Sequence, residues 1–566
     1  MPRPSRRSSM FVRELVSIVG RKHLLTREAE TEAFRRGYRY GGGPCEAVVR
    51  PGRLFELWRV LQACMSHGRI IVLQAANTGL TGGSTPCGDD YDRPVVIVST
   101  IRIRGIQPIE DGRQAICLAG ATLHELEQVL RPFGREPHSV IGSSCIGASV
   151  VGGICNNSGG ALVRRGRAYT EFALFARVSP DGALELVNHL GVQLGETPEE
   201  ILTRLDLGRY GPEDIAPRPE LCASDRAYAE EVRKVDLDSP ARFNADPRRL
   251  HEASGSAGRL AVFAVRLDTF PSEVEPAVFY VGSNDPEELS RLRRRALQDL
   301  APLPIAAEYV HRDAFDLGVR YGKDLYLAIG WFGADRLASL FKWKRRADKF
   351  GRLLRIRGLG DRLAQALSQL APAHLPPRLM GFRDRYAHHL MLKVSRSDSA
   401  DFRMLLQSMF PSLTGDWFEC TPHEGEAAFR HRFVIAGAGV RYREVHFNEV
   451  EDILALDIAL RRNDPDWFER LPPEAEAACV HKIYYGHFFC HVLHQDYIIK
   501  AGHSVPELKA KMLGRLDARG AKYPAEHNVG HLYRAEPQLL DFYRRLDPTN
   551  SLNPGIGGSS KRRNWR

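Results

Sequence analysis

Short apolar runs alternate with helical patterns along the first half of the chain. Residues 47–49, 70–73, 95–98 and 115–120 are compact, largely β-branched and bounded by turn residues, as buried strands are. Residues 54–65 and 123–130 instead repeat their apolar positions at helical spacing. Residues 11–40 read as one or two helices with basic faces, and an alternating apolar strand at 259–267 closes this region ahead of Pro271. A second region begins with a strand at 277–281 and a helix over 286–300. A basic segment interrupts it, rich in helix formers until Leu375-Pro376-Pro377, and strand and helix signals resume at 388–393, 450–462 and 483–485. The alternation predicts an α/β or α+β chain of two or three domains, because 566 residues exceed what one hydrophobic core holds. The stretch 523–558, rich in His, Asn, Pro and Gly, is long for a structureless end and is expected to pack back onto a site.

Two glycine-rich tracts stand out. Residues 74–85 (QAANTGLTGGST) follow the 70–73 strand, and residues 142–160 (GSSCIGASVVGGICNNSGG) leave an equally bare main chain. Small residues at this density let backbone N–H groups approach an anion or a flat ring system. Neither Gly-x-x-x-x-Gly-Lys nor Gly-x-Gly-x-x-Gly opening a helix is present, so an ordinary P-loop or Rossmann site is disfavoured. Tight packing of strands and turns is the alternative reading of either tract alone.

Composition narrows the setting. With 43% apolar residues the chain can bury substantial cores. Ten cysteines without a Cys-x-x-Cys pair argue against a disulfide framework or zinc ribbon and suit a reducing compartment. The N-terminus lacks a signal-peptide apolar core, and no stretch approaches the roughly 18–20 apolar residues that span a bilayer. A soluble or peripheral protein is expected. The net charge of +10 is concentrated at 341–362, where nine Lys and Arg side chains face only Asp348 and Asp361 and are interleaved with Phe341, Trp343, Phe350 and Leu353. That basic amphipathic pattern suits an anionic phospholipid surface. The bulky apolar residues would be wasted on phosphate contacts, so nucleic acid is not an expected partner; a solvated charged helix is the plainer reading.

Candidate chemistry lies in two histidine clusters. His487, His491 and His494 would share one face of a helix, and rings seven residues apart cannot close on one ion without a turn between them. Glu526-His527, with His531, sets a carboxylate beside an imidazole suited to accepting a proton near neutral pH. Arg383, Arg385 and Lys393 are candidate cations for a substrate carboxylate, against a plainer role in surface ion pairs.

These tracts, with residues 134–144, 241–247, 256–268, 449–464, 523–533 and 547–555, resemble the flavin-dependent, quinone-linked D-lactate dehydrogenases of bacterial inner membranes, within the wider fold class of vanillyl-alcohol oxidase and p-cresol methylhydroxylase. The resemblance implies an α+β, two-subdomain FAD-binding fold over 1–268 completed by 520–566. It implies a cap domain over 269–310 and 388–519, and a basic membrane-binding insertion over 311–387. FAD, held non-covalently, would meet Ala75, Ala76, Asn77, Thr78, Gly79, Gly83 and Ser84, with Gly142, Ser149, Gly159 and the main chain at Val262. The implied reaction oxidises D-lactate to pyruvate with His527 as base and passes electrons to membrane quinone from the cytoplasmic face. In related 2-hydroxy-acid dehydrogenases, residues at the positions of His487, His494 and Glu526 hold a metal. A Gly-Asp-Gly-Asn turn found there is replaced here by residues 488–493, so the three are expected to form the catalytic pocket and the metal stays unassigned. Another D-2-hydroxy acid as substrate, or a non-catalytic basic protein binding membrane or nucleic acid, are the competing readings.

Overall fold

The structure, a computed structural model, describes residues 6–138, 147–332 and 358–566. Its N-terminal part is built on two sheets. One is four-stranded, in the order Leu24–Leu25, Ala47–Val49, Val95–Ser99, Ile70–Gln74, the last three parallel. Parallel strands are covered on both faces, which explains their unbroken apolar spelling. Val96 and Val98 join a core with Leu57 and Leu61 of the helix Leu54–Ser66, while Val95 and Ile97 face the opposite side. The second sheet is five-stranded and antiparallel, with Ala261–Asp268 at its centre between Gln114–Leu118 and Ala173–Val178.

The C-terminal tail returns to the first sheet. Ile71 N–H donates to Ser551 O at 2.9 Å and Asn553 N–H to Ile71 O at 2.8 Å, so the tail runs along the outer side of Ile70–Gln74. Buried Arg259 anchors it by donating to Asn550 Oδ1 and to Leu552 O.

A seven-stranded antiparallel sheet forms the other body, in the order Gly415–Glu419, Ala277–Ser283, His388–Val394, Ala306–His311, Cys479–His487, Val492–Lys500, Val450–Ala459. Helices Pro286–Gln298 and Val505–Ala518 cover one face. Arg312–Tyr321 and the long helix Pro422–Val445 cover the other. Helix Arg312–Tyr321 buries Ala314 and Phe315 against this sheet, so it is part of the cap body although the sequence reading set 311–387 apart as an insertion. A capping box between Thr421 and Glu424 starts Pro422–Val445.

The helix Leu359–Gln369 is inside out. Asp361, Gln365 and Ser368 are buried, whereas Leu363 and Leu367 are 51% and 67% exposed, and Leu370 just beyond the helix is 84% exposed. The N-terminal end of the basic segment, 341–357, lies outside the described residues.

Candidate active site

A cleft of about 1950 Å³ is lined by both bodies, and both glycine tracts open onto it. Residues 75–79, Gly83 and Ser84 line it from one tract, Ser149 and Gly159 from the other, and Val262 from the central strand of the five-stranded sheet. Gly142 lies outside the described residues. Asn77 and Ser149, far apart in the chain, thus face one space.

Local chemistry shapes each tract. Where the strand Ile70–Gln74 ends, Gln74 Nε2 donates to Phe34 O and to Ser84 O, closing the loop into a clasp. Asn77 turns the chain at φ 53°, a conformation Asn tolerates better than most residues, while its Oδ1 accepts from Ser84 Oγ at 2.9 Å. In the second tract Ser149 caps the short helix Val150–Cys155 by accepting from Gly152 N–H. At Gly159 a Cβ would stand 2.5 Å from Glu526 Oε1, so the absent side chain is what admits that carboxylate.

The polar end of the cleft is a chain of paired charges. His487 Nδ1 lies 2.6 Å from Glu308 Oε1 and its Nε2 3.2 Å from Glu526 Oε2. His494 Nε2 is 3.8 Å from the same Glu526 oxygen, and its Nδ1 is 3.5 Å from Asp457 Oδ1. His527 Nε2 sits 3.8 Å from Asp457 Oδ2. Arg242, fully buried, donates to Glu526 Oε1 at 2.7 Å and to Gly160 O. Asn244 Nδ2 donates to His527 O, which fixes the backbone at that residue.

Burial would lower His487, but the carboxylates of Glu308 and Glu526 raise it to about 10. Burial would raise Glu526, yet His487 and Arg242 hold it well below the usual carboxylate range. Burial drives His494 down, reinforced by His487, and drives Asp457 up.

The turn that the sequence seemed to lack is present. Residues 487–494 are strand, turn and strand, with Gly486 paired to Leu493 and His487 to Val492. His491 takes the left-handed conformation (φ 55°) in place of glycine, steadied by a contact from its Nδ1 to Arg461 O at 2.8 Å. The rings of His487 and His494 consequently stand 5.3 Å apart. Their ligand atoms and those of Glu526 all lie within 4.8 Å of one another. Two imidazoles and a carboxylate, each imidazole backed by a further carboxylate, fit a divalent metal such as zinc.

The cations proposed from sequence are elsewhere. Arg383 forks onto Asp316 at 2.6 and 2.5 Å, Arg385 stacks on Phe382 and approaches Asp416, and Lys393 lies over Phe429; none lines the cleft. The cleft's own cations include Arg432 and Arg39. Arg432 Nε is 2.8 Å from Glu308 Oε2, and its guanidinium lies 4.5 Å over the Tyr485 ring. Sequence reading missed Arg432, Glu308, Arg242 and Asp457. Arg242 and Asp457 fell inside tracts that it had singled out, 241–247 and 449–464.

The family model described as D-lactate dehydrogenase, membrane binding, matches residues 278–565, and that of the FAD binding domain matches 45–184. The quinone-dependent D-lactate dehydrogenase of Escherichia coli (strain K12) is 55% identical over 98% of this chain and 98% of its own. This chain belongs to the quinone-dependent D-lactate dehydrogenase family. The family's enzyme from Haemophilus influenzae is 54% identical over 98% of this chain and 100% of its own. In fold the dehydrogenase resembles a substrate-bound p-cresol methylhydroxylase, with TM-score 0.59 at 11% identity over 98% of this chain and 97% of that one. FAD is its cofactor, and it associates with the membrane peripherally; no described helix is long and apolar enough to cross a membrane.

Proposed function

We propose that FAD lies non-covalently along the two glycine tracts and that D-lactate is oxidised to pyruvate at the polar end of the same cleft, the electrons passing to membrane quinone. The convergence of His527, Glu526 and the histidine pair on a cleft walled by both tracts supports this reading most directly. Bound FAD supplies the two-electron acceptor. His527, about a third exposed and oriented by Asp457, accepts the hydroxyl proton of the substrate. Arg432 and Arg39 offer charge for the lactate carboxylate, in the role first given to Arg383, Arg385 and Lys393. His487, His494 and Glu526 would hold a divalent ion that polarises the hydroxyl and carboxylate oxygens. Arg242 keeps Glu526 ionised and in place for that purpose.

The exposed leucines of the inside-out helix face the anionic surface of the cytoplasmic leaflet, and the basic composition of 341–362 suits the same surface. Anaerobic mixing of the purified yellow protein with a panel of D-2-hydroxy acids tests the assignment. D-lactate is expected to bleach the flavin fastest, with about one divalent ion per chain by elemental analysis. Faster bleaching by another acid would reassign the substrate, and a metal-free protein at full rate would remove the ion.

A further inference from the structure

Beyond Arg432, one wall of the cleft has no part in the lactate chemistry proposed above. Over 433–440, helix Pro422–Val445 is apolar on two sides: Ile435 and Ala438 are buried against the sheet, whereas Phe433, Ala436, Gly437 and Val440 line the cleft. A helix apolar all round is normally buried all round, so the second face calls for an apolar occupant. From Arg432 to Val440 this face runs about 12 Å at 1.5 Å per residue.

The opposite wall is also built. Leu325, Ala328 and Trp331 come from helix Lys323–Phe332, and Leu363 and Leu367 from Leu359–Gln369. Arg441 ties both helices to Pro422–Val445, with Nη2 2.7 Å from Asp324 Oδ2 and Nε 2.8 Å from Asp361 Oδ1. The groove therefore begins at Arg432, beside the polar cluster. It opens among Trp331, Leu363 and Leu367, on the helix whose leucines point outward.

We propose that this groove is the docking channel of the membrane quinone. Its ring approaches the flavin past Arg432, and its prenyl tail lies along Phe433, Ala436, Gly437 and Val440 and leaves toward lipid past Leu367. This rests on reading the cleft as the FAD site. Across the cycle D-lactate loses two electrons and two protons as pyruvate forms, and the quinone gains two of each to become quinol. The apolar occupant is a quinone because the groove is continuous with the cleft of a membrane-binding, quinone-dependent family and opens at an inside-out helix.

Gly437 gives the test. A Cβ there meets nothing within 4 Å, so Gly437→Leu puts a plug into the groove without crowding the helix, and leucine is the better helix former. Gly381→Leu, equally open but outside the cleft, is the control. The holoenzyme is bleached anaerobically with D-lactate, then mixed either with a short-tailed ubiquinone in phosphatidylglycerol vesicles or with ferricyanide. Gly437→Leu is expected to slow reoxidation by the quinone roughly tenfold or more, as altered apolar pockets do, while ferricyanide reoxidises both variants at the wild-type rate. A wild-type quinone rate in Gly437→Leu overturns the channel. Weakened vesicle binding at an unchanged quinone rate overturns it in favour of lipid. Equal slowing of D-lactate bleaching overturns it by merging the two ends, and a wild-type protein that D-lactate does not bleach removes the flavin reading and the channel with it.

Discussion

At one end of the cleft Glu526 is held by Arg242 and faces His487 and His494, His487 answers also to Glu308, and Asp457 stands between His494 and His527. At the other end Phe433, Ala436 and Val440 face Leu325, Ala328 and Leu367. The polar end is fixed by charge pairs whose removal leaves buried ions unmatched, a set geometry suited to positioning a small anion and moving a proton. The apolar end is fixed by shape and by three helices that Arg441 ties together, so it selects by size and hydrophobicity. One cleft can thus suit a water-soluble acid at one end and a lipid-soluble acceptor at the other, with Arg432 where the two ends meet.

The largest expected effect lies at the polar end. His527→Ala should slow D-lactate bleaching by roughly 10²- to 10⁴-fold, the usual cost of a lost general base, with FAD content unchanged. Stopped-flow absorbance checks this, and a wild-type rate would take His527 out of the role. Arg432→Lys keeps the charge but loses the fork. It should raise the KM for D-lactate roughly tenfold to a hundredfold, in line with charged hydrogen bonds of about 1.5–3 kcal/mol. Steady-state assays with ferricyanide read that effect, and an unchanged KM would return the carboxylate role to Arg39 alone.

A smaller effect belongs to the membrane face. Leu367→Ser should weaken binding to phosphatidylglycerol vesicles by roughly tenfold, the share of one leucine's transfer energy. Because the side chain is 67% exposed, unfolding stability should stay within about 0.5 kcal/mol. Co-sedimentation and thermal melts measure both, and a destabilised protein with undiminished binding would mark Leu367 as part of the core instead.

What the sequence made legible follows from range. The strand Ile70–Gln74 and its glycine loop were readable because a parallel buried strand spells itself out locally, and the 523–558 tail because its composition did not suit a free end. The two histidine clusters were readable locally, but joining His487 and His494 to Glu526 as one set came only through the family resemblance. The turn that joins the two histidines uses His491 where glycine was looked for. Arg432 and Glu308 carry no local signal: they meet across a helix and a strand more than a hundred residues apart, and arginines on charged helices are common. Helix Pro422–Val445 escaped because apolar residues on two faces blur the helical period. The outward face of the inside-out helix was not legible because Leu363, Leu367 and Leu370 recur at helical spacing, the pattern of a buried stripe, and nothing local shows that they meet solvent.

The two ends can be separated in a single stopped-flow comparison of both half-reactions in His527→Ala and Gly437→Leu. The account predicts a cross: His527→Ala slows flavin reduction by D-lactate and leaves reoxidation by quinone unchanged, whereas Gly437→Leu does the reverse. Both variants slowing the same half-reaction would contradict it.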